Sequence, residues 1–69
     1  MREISTITFK ETATKSDAIA IIKADSECVS ITFSVESNGD IEVRLKNEDA
    51  SKVAKAISAA VSYAGTHSE

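Results

Sequence analysis

The chain has no proline and no tryptophan, and only two glycines, one cysteine and one histidine in 69 residues. With glycine confined to Gly39 and Gly65, neither a G-x-G-x-x-G turn nor a Walker loop can be written to cradle phosphate. A single cysteine, Cys28, makes no internal disulfide and no thiolate metal cluster, so both cysteine-based staples of small domains are excluded. Basic charge is short as well. Eight Lys and Arg against eleven Asp and Glu leave a net charge of −3, the wrong sign for a domain that binds by displacing phosphate counterions. No apolar run nears the roughly 18 residues of a membrane span. Met1-Arg2-Glu3 opens no signal-peptide segment, so a soluble chain of the cytoplasm without a membrane partner is expected.

What is present suffices for one domain. Apolar residues make up 42% and charged residues 28%, an ordinary globular balance. Residues 1–65 are expected to form a single domain, with 66–69 a frayed tail. No repeat, low-complexity stretch or linker interrupts it. A folded chain of this mass exposes about 4,200 Å² and buries about 6,400 Å² on folding. If about 60% of that is apolar, burial contributes about 95 kcal/mol against an ordering cost of about 100 kcal/mol. Burial across a subunit interface would tip that balance, which makes a homodimer or higher oligomer a physical expectation.

Two periodicities divide the chain. From Cys28 to Glu36, Val29, Ile31, Phe33 and Val35 alternate with polar residues, and Ile41, Val43 and Leu45 do the same after Asn38-Gly39. Both stretches are half-buried strands, and the turn residues between them signal a hairpin. For the two apolar rows to share a face, a loop Ser37-Asn38-Gly39 with Gly39 left-handed should set Val35 opposite Ile41. Ile4 to Lys10 reads as a strand in which Ile4 is out of phase, implying either a bulge near Ser5 or an apolar spot on the open face. Ala18 to Ala24 is apolar in both parities and reads as a more deeply buried strand. Thr12 to Ser16 connects it to its predecessor. A turn at Ala24-Asp25-Ser26 connects it onward, setting Lys23 opposite Glu27.

The last segment changes period. Ala50, Val53, Ala54, Ile57, Ala60, Val61 and Ala64 form an i, i+3, i+4, i+7 stripe. Asn47 is the expected N-cap, Glu48 and Asp49 complement the helix dipole, Glu48 pairs with Lys52, and Gly65 closes the helix at C′. The expected architecture is an α+β fold, a four-stranded antiparallel meander with one C-terminal helix packed on one face (ββββα). Its core would join Ile7, Phe9, Ile19, Ile21, Val29, Ile31, Phe33 and Val35 to Ile41, Val43, Leu45, Val53, Ile57 and Val61.

Chemistry is harder to find than structure. Acid–base catalysis wants a histidine or carboxylate held in a pocket, yet His67 falls in the expected tail. Cys28 has no base nearby in sequence to make a thiolate, and reads as a small strand residue. The acidic pairs Asp25/Glu27, Glu36/Asp40 and Glu48/Asp49 read as turn-flanking and dipole-complementing charges, and none has cation-loop spacing. No catalytic residue, cofactor or metal site is assigned, and a non-enzymatic protein is expected.

What remains is surface. Thr32, Arg44 and Lys46 are expected on the sheet face opposite the helix among other small polar residues, with Ile4 and Ile22 as apolar intrusions that a partner would cover. Ala56 and Tyr63 mark a second candidate flank on the helix, where small residues admit close approach and Tyr63 anchors. The ββββα order resembles, in topology, the single-strand DNA-binding folds of the Whirly and PUR type, whose resemblance implies dimers that lay nucleic acid across sheets. Such binding stacks bases on aromatics over a basic groove. Here Phe9 and Phe33 belong to the helix-facing parity and Tyr63 to the helix. The expected role is therefore a self-associating protein-interaction module of inhibitor, antitoxin-like or phage accessory type, with single-stranded nucleic-acid binding as the alternative.

Overall fold

A computed structural model of the chain describes residues 1–66. The elements run β1 (Arg2–Lys10), β2 (Asp17–Ala24), β3 (Cys28–Val35), β4 (Gly39–Lys46) and α1 (Asn47–Thr66). The strands form one antiparallel sheet in the order β1-β2-β3-β4, an up-and-down meander followed by a single helix. Fold class and topology are those expected from the alternating and helical periods. The tail expected at 66–69 begins with Thr66, the last helical residue, and His67 to Glu69 lie outside the described residues.

Register departs from expectation at two turns. Between β3 and β4 the turn is Glu36-Ser37-Asn38, with the Asn38 amide donating to the Val35 carbonyl at 3.0 Å and Gly39 at φ 85°. Val35 therefore faces Gly39, and Ile41 faces Phe33. This shift of two leaves the shared apolar face intact.

The turn between β2 and β3 shifts by an odd number. Both the Glu27 and Cys28 amides donate to the Asp25 carboxylate at 2.8 Å, and the Asp25 amide donates to the Cys28 carbonyl at 3.0 Å. That closure sets Lys23 opposite Ser30 rather than Glu27. Because side chains alternate with period two, an odd slip moves the whole of β2 to the opposite face. Ala18, Ala20 and Ile22 align with Val35, Phe33 and Ile31 on the apolar face, while Ile19 and Ile21 join Ser34 and Thr32 on the polar one. The core positions assigned to Ile19 and Ile21 are thus corrected, as is the open-face position of Ile22.

In β1 the register shifts between Glu3 and Ser5, so Ile4 is the extra residue of a bulge. At the other end of β1–β2, the Glu11 side chain accepts from the Thr14 amide at 2.7 Å, and Lys15 turns the loop at φ 61°.

The helix does not complete a core. It touches only β3 and β4, and none of its residues is buried. Buried apolar residues are limited to Ala18 and Ala20, and Ser30 is the one buried polar residue among those described. Val53, Ile57 and Val61 do not meet the sheet in a dry layer as expected. The outline agrees: the radius of gyration is 13.6 Å, against about 11 Å for a compact domain of this length.

Details of α1 differ too. Asn47 is its first helical residue, and its side-chain amide donates to the Ser26 carbonyl at 3.3 Å. Lys52 lies 4.0 Å from Asp49 in an i,i+3 pair. Gly65 stays within the helix, which continues to Thr66, whose hydroxyl donates to the Tyr63 carbonyl at 3.1 Å.

Candidate functional site

The register sorts the sheet into two chemically opposite faces. On one, Ser5, Ile22, Ile31 and Val43 form a cross-strand row, followed by Ile7, Ala20, Phe33 and Ile41, and then Phe9, Ala18, Val35 and Gly39. Arg2, opposite Ala24, is the one charged residue in register with this face among the described residues. The small side chains of Ala18 and Ala20 lie between Ile7 and Phe9 on β1 and Phe33 and Val35 on β3. They form the floor of a shallow trough over the first half of β2, with the larger Ile22 next on the same face. The trough walls are open to water: Ile7, Phe9, Phe33, Ile41 and Val43 are all exposed.

The second apolar surface is the stripe of α1. Val53, Ile57 and Val61 lie on it and are likewise exposed. Isolated exposed apolar residues are ordinary. Here the exposed side chains of the sheet are cross-strand neighbours, and those of the helix share one stripe.

The opposite sheet face is polar apart from Ile19 and Ile21, and it is electrically balanced. Lys10, Lys23, Arg44 and Lys46 share it with Glu3, Asp17, Asp40 and Glu42, and Lys10 is ion-paired with Asp17. The Ser30 hydroxyl, fully buried at 0% exposure, donates to Glu42 Oε2 at 2.7 Å. Arg44 Nε lies 3.9 Å from the same carboxylate oxygen, a pair exposed to solvent on both sides. No phenylalanine or tyrosine is in register here, because Phe9 and Phe33 occupy the apolar face and Tyr63 the helix.

Sequence-predicted site residues therefore scatter. Thr32, Arg44 and Lys46 share the polar face as expected, and Ile4 is exposed at the bulge. Ile22 sits half-buried on the apolar face. Ala56 and Tyr63 are exposed on the helix. Reasoning from sequence missed Phe33, Ile41 and Ile57 as surface residues. Their apolar periodicity signals a covered position without saying whose atoms do the covering.

Titratable chemistry is sparse. Two backbone amides, of Glu27 and then Cys28, hold the Asp25 carboxyl below its ordinary range. Both bonds belong to the turn. Among the described residues, no group of three or more His, Cys, Asp or Glu side chains converges as a metal site would require. A shallow depression lined by Thr8, Phe9, Asp17, Ala18, Ile19, Ser34 and Glu36 opens at one end of the sheet, where Asp17 is engaged by Lys10. No described helix is long and apolar enough to cross a membrane.

Compared with known proteins, the chain matches no family model, no curated protein and no solved structure at the significance required.

Proposed function

We propose that this chain is a small, non-catalytic protein-interaction module that works by self-association, of the kind that serves as an inhibitor, an antitoxin-like partner or a phage accessory factor. One observation carries the reading: Phe33 and Ile41 on the sheet and Ile57 and Val61 on the helix are exposed together in a single chain. Leaving several large apolar side chains in water forfeits about 1.5–3 kcal/mol each, and a small domain has no surplus to absorb that. A contact that covers them is both driving force and function. Light scattering across a range of concentrations tests this, with Ile41→Lys and Ile57→Lys as variants. The expected result is a mass above 7.3 kDa for the parent that falls toward the monomer in each variant. A parent that stays monomeric at millimolar concentration overturns it.

The single-stranded nucleic-acid reading draws on topology alone. It ranks second because the cations of the polar face are matched by carboxylates and no aromatic stands beside them. Salt-sensitive oligonucleotide binding weakened by Arg44→Glu would raise it.

A further inference from the structure

The geometry points to a reciprocal dimer in which α1 of each copy lies in the β2 trough of the other. The inference rests on the self-association proposed above and specifies which surface meets which.

The connection between sheet and helix is the first reason. β4 ends at Lys46 and α1 begins at Asn47, with no residue between them. Packed layers lie about 10 Å apart, and one peptide step advances the chain by about 3.8 Å. A helix leaving the strand without a loop has little chain with which to climb to the next layer and turn back across its own sheet, and α1 reaches no further than β3. Connections that achieve this run to about 2–6 residues. The Asn47 bond to the Ser26 carbonyl fixes the helix start further. Short connections of this kind favour exchange of the element between copies.

Shape is the second. A helix of 20 residues is about 30 Å long, and strands of eight residues span about 27 Å, so one helix covers one sheet from end to end. The ridge of Val53, Ile57 and Val61 is flanked by alanines that permit close approach, and the trough floor of Ala18 and Ala20 receives it.

Area is the third. The chain exposes 5399 Å², about 1,200 Å² more than the roughly 4,200 Å² of an average monomer of this mass. Two copies would remove about 2,400 Å², within the range of about 2,000–5,000 Å² that obligate homodimers bury. Sheet face against sheet face would leave both helix stripes in water. Exchange covers both surfaces, twice, about a two-fold axis.

The test mixes carbon-13-labelled and unlabelled full-length chains, refolded together, and records isotope-filtered NOEs alongside solution mass. The expected result is a dimer with intermolecular NOEs from the Val53, Ile57 and Val61 methyls to Phe9, Ala20 and Phe33. Intermolecular NOEs among sheet residues alone, or helix–sheet NOEs confined to one chain, would overturn the exchange while leaving self-association standing. A monomeric mass with no intermolecular NOE overturns both.

Discussion

Phe33 of β3 and Ile41 of β4 are cross-strand partners on the apolar face, and they remain 44% and 60% exposed. In a one-sided antiparallel sheet such a pair is normally covered by a second layer. The chain does possess an amphipathic helix to supply that layer, but it holds the helix at the β4 terminus, where it touches only β3 and β4. The uncovered pair and the uncovered helix are two views of the same missing contact.

Inserting Gly-Ser-Gly-Ser between Lys46 and Asn47 restores the loop that β4 and α1 lack. The helix can then fold back over its own sheet, so the variant is expected to be monomeric at concentrations where the parent is dimeric. Light scattering on both chains at matched concentration reads the difference, and an unchanged dimer mass argues against a role for the short connection.

The two glycines should respond to alanine with opposite signs. Gly39 adopts φ 85°, a left-handed conformation that a Cβ disfavours even though nothing lies within 4 Å. Gly39→Ala is expected to destabilise by about 1–2 kcal/mol. Gly65 lies inside the helix with open space around it, so Gly65→Ala is expected to stabilise by about 0.5–1 kcal/mol. Urea midpoints at fixed protein concentration measure both.

Asp25 should contribute a pH dependence in one direction only. Its carboxylate accepts from the Glu27 and Cys28 amides, which lowers its pKa from 3.8. A group whose pKa falls on folding adds stability above its unfolded value and loses it as pH drops through the lower folded value. Stability is therefore expected to decline below about pH 3.8 through this group, and Asp25→Asn, which keeps an acceptor without a titrating proton, should flatten that part of the profile. Thermal melts between pH 2 and 6 on both chains decide it, and identical slopes would assign the decline to other carboxylates.

Ser30 offers a test of the polar face. Its buried hydroxyl donates to Glu42 at 2.7 Å, and Ser30→Ala removes that bond while Glu42, 47% exposed, turns to water. The expected loss is about 1 kcal/mol, with no change in solution mass, because the residue lies on the face away from the proposed contact. A loss of dimer in this variant would relocate the interface.

Several elements were legible because their signals are local. The Val29 to Val35 alternation, the Ile41 to Leu45 alternation and the stripe from Ala50 to Ala64 each mark a period that only one kind of backbone satisfies. The phase error at Ile4 was legible, but not whether it meant a bulge or an apolar spot on the open face; the register shift between Glu3 and Ser5 decided for the bulge. β2 was not legible in phase, since Ile19, Ile21 and Ile22 place isoleucine in both parities. Its facing was decided by the Asp25 turn, whose bonds to two consecutive amides lengthen the connection and set Lys23 against Ser30.

By itself, then, the order of residues determined strands, helix and meander, because pleat and helical pitch read one side chain at a time along the chain. Only the tertiary structure decided that the helix stripe stays exposed and that the helix touches no more of the sheet than β3 and β4. No residue separates Lys46 at the end of β4 from Asn47 at the start of α1, while packed layers lie about 10 Å apart. No periodicity encodes such a geometric quantity.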